Sequence, residues 1–188
     1  VRGSAPDWVI GKTTTSRMIA HIFKGIGKKV GMTSTDGVVI DERLVIRSDA
    51  SGPRSAKMVL QNPRVDFAVF EVARGGILRE GLGYERNDVG VVLNVQPDHL
   101  GLRGVDTLEQ LADVKAVIVE AVPRNGFAVL NADDALVRAM RRRCSGRIVW
   151  FTMAEPGSKI RDSVDDHCRR GGRAVVLEHS DLGDMIMI

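Results

Sequence analysis

The residues whose types and spacing most clearly suggest a chemical role stand at the start of a predicted helix. Residues 11–15 are Gly-Lys-Thr-Thr-Thr, and apolar residues then recur at helical spacing: Met18, Ile19, Ile22, Phe23 and Ile26. This is the second half of a phosphate-binding loop, in which glycine lets backbone N–H groups approach phosphate, lysine supplies charge and a threonine hydroxyl can bind Mg²⁺. The helix N-terminus adds partial positive charge. The pattern predicts that Gly11, Lys12, Thr13 and Thr14 bind a nucleotide.

The first half of this phosphate loop departs from the expected pattern. The loop requires glycine where the chain has Pro6, and Trp8–Ile10 is typical of the strand that should precede the loop. One interpretation is that residues of the natural loop are missing between Ile10 and Gly11. The alternative is that the loop is truly incomplete, which would favour a module without catalytic activity.

Further polar residues stand directly after predicted strands. Glu71 follows the apolar run Phe67–Phe70, and an ionised carboxylate at such a place is costly without a partner. His99 follows the run Val89–Val95, and Asn131 and Asp133 follow another apolar run. Open α/β sheets bind ligands at the carboxyl ends of their strands, so these residues are candidate site residues. Glu71 as a solvated carboxylate and His99 as a capping histidine remain the alternatives.

The elements that must position these residues alternate between strand and helix. Apolar residues at helical spacing predict a helix in residues 18–26, one in 108–118 and a shorter one in 136–140. Short β-branched runs predict strands at Lys29–Thr33, Phe67–Val72, Val89–Val95, Phe127–Asn131, Arg147–Phe151 and Arg173–Leu177. This alternation predicts an α/β fold with a doubly wound, mostly parallel sheet and helices on both faces.

Two local patterns add detail to this fold. Val38–Ile40 and Leu44–Ile46, separated by three polar residues, predict a small projecting β-hairpin. Thr107 with Gln110 three residues later is a candidate capping box, and Asp133 or Asp134 could cap the following helix.

Length and composition limit the classes of protein. A chain of 188 residues fits one domain, and no apolar run approaches the roughly 20 residues that span a bilayer. Two cysteines without a close motif, and no signal-peptide pattern, lead us to expect a cytoplasmic protein. The net charge is only +3 and aromatic residues make up 4%, which argues against a nucleic-acid partner. Arg141–Arg143 is most simply a solvated helix face, although a basic bias also suits ATP or an acidic polymer.

Several motifs, in order along residues 11–177, resemble those of one family. Residues 71–78 (EVARGGIL), 35–37 (TDG) and 51–56 (SGPRSA) are similar to cyanophycin synthetases. Residues 94–101 (NVQPDHLG) and 130–134 (LNADD) are similar to the motifs of Mur ligases generally. The whole chain, residues 1–188, thus resembles the ATP-binding central domain of the Mur ligase family, and within that family the cyanophycin synthetases.

The resemblance implies an ATP- and Mg²⁺-dependent ligase that joins a carboxylate to an amine through an acyl phosphate. In cyanophycin synthetases the substrates are an aspartate-rich acidic polypeptide and arginine, and we expect the parent enzyme to be a homo-oligomer. By resemblance, Lys12 contacts the phosphates, Thr13 and Glu71 hold one Mg²⁺, and His99 holds a second metal. Lys115 takes the place of a carbamylated lysine and completes the catalytic set with Lys12 and His99, while Asn131 and Asp133 contact the nucleotide.

Simpler interpretations of some residues remain open. Lys115 is otherwise an exposed helix lysine, and the pair Asp133–Asp134 is otherwise a helix cap. Arg54 and Arg74 either bind an acidic substrate or stabilise loops. At the level of function, the alternative is a non-catalytic nucleotide-binding or oligomerisation module. The C-terminal ligase domain and the ATP-grasp half of such enzymes have no counterpart here, so we expect the isolated chain to be inactive.

Overall fold

The computed structural model describes residues 11–97, 100–101, 103–180 and 183–188. Contacts between residues divide the chain into two compact units, with the boundary between Tyr84 and Glu85. Each unit has its own sheet, helices and core, and is described by itself below. Residues 6–10, on which the preceding strand and the first half of the phosphate loop depend, lie outside the described residues, as do Asp98 and His99.

The first unit contains a four-stranded sheet and, in the described part of the chain, three helices. The elements are α1 (Lys12–Gly25), β1 (Val30–Ser34), β2 (Gly37–Ile40), β3 (Arg43–Ile46), α2 (Pro53–Leu60), β4 (Phe67–Phe70) and α3 (Arg74–Glu80). The order of the strands in the sheet is β3-β2-β1-β4. Strand β1 pairs in parallel with β4 and antiparallel with β2, which pairs antiparallel with β3.

Helices α1 and α2 cover opposite faces of this sheet. Ile19 and Phe23 of α1 pack on a cluster of Val30, Met32 and Val69, and the rings of Phe23 and Phe67 stack at 3.6 Å. A second cluster, formed by Val38, Ile40, Ala50 and Val59, lies under α2. Gly31 is needed at this contact, because a Cβ there would lie 2.4 Å from a methyl group of Val59. The core of this unit is therefore two thin layers, one on each side of the sheet.

The apolar pattern that predicted α1 is only partly buried. Ile19 and Phe23 contact the sheet, whereas Met18, Ile22 and Ile26 are 60–68% exposed. The helix itself is confirmed from Lys12 to Gly25. The periodicity was therefore correct for the type of element, but it predicted a wider buried face than the described part of the chain shows.

The predicted hairpin is confirmed as β2 and β3, which are joined by a two-residue turn. Asp41 and Glu42 have positive φ angles of 47° and 68°. Two consecutive positive φ values are typical of a type I′ turn, whose twist matches that of antiparallel strands. All four residues of β3 are exposed, whereas Val38 and Ile40 of β2 are buried in the core, so the predicted projection holds for β3 and is wrong for β2.

The second unit contains a five-stranded sheet with helices between its strands. The elements are β5 (Val89–Val92), α4 (Leu108–Glu120), β6 (Phe127–Asn131), α5 (Ala135–Ala139), a 3₁₀ helix (Met140–Arg143), β7 (Arg147–Thr152), α6 (Lys159–Arg169), β8 (Arg173–Ser180) and β9 (Gly183–Met187). The order of the strands in the sheet is β5-β6-β7-β8-β9. Strands β5 to β8 are parallel and β9 pairs antiparallel with β8. Leu111, Leu130 and Val137 lie at the centre of its core and are almost fully buried.

A buried arginine joins α6 to β8 in this unit. The guanidinium of Arg161 donates to carboxylate oxygens of Asp165 at 3.0 Å and Glu178 at 2.8 Å. These two carboxylates raise the pKa of Arg161 further above its ordinary value. A buried charge is tolerated when it is paired and hydrogen-bonded, so the ion pairs allow α6 to place a charged residue against the sheet.

The α/β class, the parallel strands and the covering helices are confirmed. Each of the six predicted strands corresponds to an observed strand: the bounds of Phe127–Asn131 are identical and those of the other five differ by one to three residues. The capping box of Thr107 and Gln110 is also present. The division of the strands between two sheets was not predicted, and neither was β9. Among the described residues, no helix has the length and apolar character needed to cross a membrane.

Tyr84 offers a test of packing in the first unit, because it is the single tyrosine of the chain. Its ring stacks on Phe70 at 5.5 Å, and burial raises its pKa from 10.0 to about 12. Since the fold favours the neutral phenol, the resulting stability is complete below pH 10 and is lost as the pH rises toward 12. Phenolate absorbance during an alkaline titration should therefore rise near pH 12. A midpoint near 10, the value expected in denaturant, would contradict this packing.

Candidate functional site

Three oxygen-bearing residues meet at one edge of the first unit. The Thr13 hydroxyl donates a hydrogen bond of 2.8 Å to Oε2 of Glu71, and the Thr35 backbone N–H donates to the same oxygen at 3.4 Å. The hydroxyl oxygens of Thr13 and Thr35 are 3.5 Å apart. Residues separated by 58 positions in the sequence therefore form a single polar cluster, which we call the Thr13–Thr35–Glu71 cluster.

The parallel pairing of β1 and β4 explains how this cluster forms. Thr33 lies opposite Phe70 in the register, so the chain leaves both strands at the same edge. Glu71 follows β4 there, and its backbone N–H donates to the carbonyl of Thr33 at 3.0 Å. Thr35 follows β1 at the same level. The two strand ends thus place a carboxylate and a hydroxyl side by side, as expected for a ligand site in an α/β sheet.

Helix α1 brings its N-terminus to the same cluster. Gly11 precedes the helix with a φ of 154°, a positive value that favours glycine. No described side chain caps this end, so the first-turn N–H groups keep the partial positive charge of the helix terminus. Lys12 and Thr13 are half-buried and Thr14 is exposed. The elements that carry Gly11, Lys12 and Thr13 are therefore arranged as a phosphate-binding helix terminus requires.

The carboxylate of Glu71 is buried, and a buried carboxylate needs hydrogen-bond donors or a cation beside it. Glu71 is only 4% exposed, and its side chain accepts from a hydroxyl and a backbone N–H group. An ionised carboxylate with so little water contact is stabilised by such donors and more strongly by a cation. Arg17 pairs at 2.7 Å with Asp36, the residue after Thr35, and both of these side chains are exposed. The interpretation of Glu71 as a solvated strand-end carboxylate is therefore wrong.

The oxygen atoms of this cluster fit Mg²⁺. Magnesium prefers oxygen ligands, keeps several waters and is usually held by one or two carboxylates together with substrate phosphates. The cluster offers one carboxylate and two hydroxyls, and a hydroxyl that donates to Glu71 keeps lone pairs for a metal. The described residues contain no group of three or more His, Cys, Asp or Glu side chains that could hold a metal alone. A metal at this cluster would therefore also need ligands from water or phosphate.

A second polar cluster lies at the strand ends of the second unit. The Asn131 amide donates to the carbonyl of Leu93 at 2.8 Å, and its oxygen accepts from the N–H of Asp133 at 2.8 Å. The carboxylate of Asp133 accepts from the Thr152 hydroxyl, and from the N–H of Met153 at 2.9 Å. Asn131 and Asp133 therefore join the ends of β5, β6 and β7.

Asp134 is the helix cap of this cluster. Its Oδ1 accepts from the N–H groups of Leu136 and Val137 at 2.9 and 3.1 Å, which caps α5. Its Oδ2 accepts from the N–H of Val95 at 2.7 Å. Of the two aspartates considered for the cap, the structure selects Asp134, while Asp133 bonds to the end of β7.

Lys115 of α4 extends toward the strand end of β5. Its ammonium group donates to the carbonyl of Asn94 at 2.9 Å, and the side chain is partly buried. The interpretation of Lys115 as a simple exposed lysine is therefore wrong. Whether it carries a carbamate stays a prediction, as does the metal-binding role of His99, which lies outside the described residues.

Thr35 is the residue of the first cluster that the sequence did not single out. Residues 35–37 resemble a family motif, but the sequence gives no reason to choose Thr35 as a site residue. That choice requires the pairing of β1 with β4, which places the residue after β1 beside Glu71. Arg54 of α2 pairs with Glu80 of α3 at 3.1 Å, so this exposed ion pair joins two helices, and a role of Arg54 in substrate binding stays a prediction.

Comparison with known proteins gives the family of this chain. The family profile described as the Mur ligase middle domain matches residues 10–184, which includes residues of both units. The chain belongs to the Mur ligase middle domain family. It is 52% identical over 172 residues to the cyanophycin synthetase of Geminocystis herdmanii and 53% identical over 169 residues to that of Crocosphaera subtropica. These matches cover 92% and 90% of this chain, but only 19% of each relative.

More distant relatives carry the names of other ligases. The UDP-N-acetylmuramoylalanine--D-glutamate ligase of Pelotomaculum thermopropionicum is 31% identical, with 92% of this chain and 34% of the relative covered. Among solved structures, MurF from Acinetobacter baumannii matches with a TM-score of 0.57 and 19% identity, covering 95% of this chain and 36% of that protein. The MurF likeness confirms the fold, and the sequence relatives confirm membership of a ligase family.

Proposed function

We propose that this chain is the ATP-binding part of an ATP-dependent carboxylate–amine ligase of the cyanophycin synthetase type. The observation that carries the proposal is the contact between Thr13, in the Gly-Lys-Thr segment, and the buried Glu71 of the next strand end. A buried carboxylate beside the threonine of a phosphate-binding helix terminus is the arrangement that Mg²⁺-bound phosphate needs. Identity of 52–53% to cyanophycin synthetases supports the type of ligase.

The residues of the first unit would act by neutralising and positioning charge. A substrate carboxylate and a triphosphate repel each other, so joining them requires cations at the point of contact. Bound Mg²⁺–ATP would supply the phosphoryl group and much of that positive charge. Lys12 would add an ammonium group and Gly11 to Thr14 would add the helix N-terminus, while Thr13 and Glu71 would supply oxygen ligands.

The residues of the second unit would contribute to nucleotide binding and to a second metal. Asn131 and Asp133 lie at the carboxyl ends of parallel strands, where nucleotides bind in open sheets. Lys115, held at the strand end by Asn94, and His99 complete the proposed catalytic set. A carbamate on Lys115 would turn its cation into an oxygen ligand.

The partners follow from the proposed type of ligase. We propose ATP, an aspartate-rich polypeptide and an amino acid such as arginine as substrates of the parent enzyme, which would be a cytoplasmic homo-oligomer. The alternative is a non-catalytic nucleotide-binding or oligomerisation module, which is favoured by Pro6 in place of the phosphate-loop glycine.

A chimera tests the proposal. Residues 12–177 of this chain would replace the corresponding segment of the Geminocystis herdmanii cyanophycin synthetase, which keeps its own phosphate loop up to the glycine before Lys12. We expect the chimera to release phosphate from ATP only when an aspartate-rich primer and arginine are both present, and to lengthen the primer. The unmodified synthetase is the control. A folded chimera that binds ATP but forms no amide would favour the non-catalytic module.

A further inference from the structure

A basic groove in the second unit lies outside the cluster of strand-end residues described above. It has a volume of about 570 Å³, which is within the usual range for ligand sites of about 300–1,000 Å³. It lies between α5, with the 3₁₀ helix after it, and α6. The residues that line it include Ala132, Arg138, Arg141, Arg142, Trp150 and Ser163.

The charge of this groove is of one sign. Its lining includes three arginines and no acidic residue among the described residues. Arg138 donates to the carbonyl of Ala132, whereas Arg141 and Arg142 are exposed and have no ion pair within the described part of the chain. The neighbouring Arg143 differs, because it pairs with Asp113 at 2.6 Å and Glu120 at 2.7 Å. Two guanidinium groups therefore remain available to an anionic ligand.

The lining of the groove favours a polypeptide over a nucleic acid. Apart from its arginines and Trp150, it consists of alanine and aliphatic side chains and of Ser163. Single-stranded nucleic acids bind by stacking bases on exposed aromatic rings, but Trp150, the one aromatic residue of this lining, is only 5% exposed. Small apolar side chains leave room for a peptide backbone, and guanidinium groups bind carboxylates in a bidentate manner.

We propose that this groove is a docking site for the carboxylates of an aspartate-rich polypeptide, at which Arg141 and Arg142 hold the chain. The proposal rests on the proposed function, which makes such a polypeptide the substrate. The groove begins at Ala132, between Asn131 and Asp133 in the sequence, so a polypeptide held there lies beside the strand ends of this unit. Docking outside the reacting position would keep a long substrate bound between successive additions.

Binding of poly-L-aspartate to this 188-residue chain tests the proposal. The chain has two tryptophans, and a Trp8→Phe background leaves Trp150 as the single fluorescent reporter in the groove. Poly-L-aspartate of about ten residues, titrated at low salt, should change the Trp150 emission. In an Arg141→Gln/Arg142→Gln variant we expect the affinity to fall about tenfold, because two ion pairs are lost. Rising salt should weaken the binding in the background protein.

A matched variant separates docking from net charge. Arg64→Gln/Arg86→Gln removes two exposed arginines that do not line the groove, and it should change the affinity less than about twofold because it lowers the net charge equally without removing a residue of the groove. An equal loss in both variants, or no binding by the background protein, would overturn the proposal. Loss of ATP affinity in Arg141→Gln/Arg142→Gln would also overturn it, since the groove would then be a nucleotide site. The titration contains no ATP, so its failure is distinguishable from failure of the chimera to form amides.

Discussion

A Glu71→Gln substitution in the chimera should reduce the rate of amide formation about 10²–10³-fold, the effect typical of losing one preorganised electrostatic contact. Glutamine has the shape of glutamate, and its amide oxygen still accepts from the hydroxyl of Thr13 and the N–H of Thr35. The fold should therefore be retained, because no buried donor loses its partner. What is lost is the negative charge, and with it the attraction for Mg²⁺. Phosphate release and primer elongation at saturating ATP measure the effect.

Two further variants identify the cause of this loss. Thr13→Ser keeps the hydroxyl that contacts Glu71 and should retain most of the activity, whereas Thr13→Val removes it and should be as damaging as Glu71→Gln. Glu80→Gln is the matched control, because it removes a carboxylate that is partly exposed and pairs with Arg54. Wild-type rates for Glu71→Gln at ordinary Mg²⁺ concentrations would contradict the proposed metal site.

The sequence predicted the helix and the strand that carry Thr13 and Glu71, but it did not predict that Thr35 joins them in the Thr13–Thr35–Glu71 cluster. The Gly-Lys-Thr segment and the apolar run before Glu71 are local patterns, so helix α1 and strand β4 could be predicted with the residues that they carry. Thr35 could not be chosen, because its place depends on the pairing of β1 with β4. Pairing is a long-range property, and hydrophobic periodicity gives the type of an element without its neighbours.

In the second unit, the sequence likewise did not show which neighbours each charged residue would contact. The run Arg141–Arg143 suggested a uniform solvated face, but Arg143 forms two ion pairs while Arg141 and Arg142 line a groove. Adjacent residues of a helix point in different directions, so a charge run is divided by the surfaces that surround it. The same reasoning explains why Asp133 and Asp134 could not be separated from sequence: each bonds to a different strand end or helix.

An Asp134→Ala substitution should lower the free energy of unfolding by about 2–4 kcal/mol. Loss of a helix cap costs about 1 kcal/mol, and here the cap serves the N–H groups of both Leu136 and Val137. The N–H of Val95 also loses its carboxylate partner, and a hydrogen bond to a charged group contributes about 1.5–3 kcal/mol. Val95 is buried, so water cannot easily replace that partner. Urea unfolding of this chain, followed by circular dichroism, measures the change.

The same substitution at Asp133 tests whether the two aspartates have the different hydrogen-bond partners that the structure gives them. Asp133→Ala should cost less, about 1–2 kcal/mol, because Asp133 is exposed and mainly leaves the Thr152 hydroxyl and one backbone N–H without a partner. Asp134→Asn keeps an acceptor for the cap and should fall between wild type and Asp134→Ala. If Asp133 contacts the nucleotide as proposed, Asp133→Ala should weaken ATP binding more than its small stability loss explains. Equal destabilisation by the two alanine variants would mean that the bond to Val95 does not connect β5 to α5 as the structure indicates.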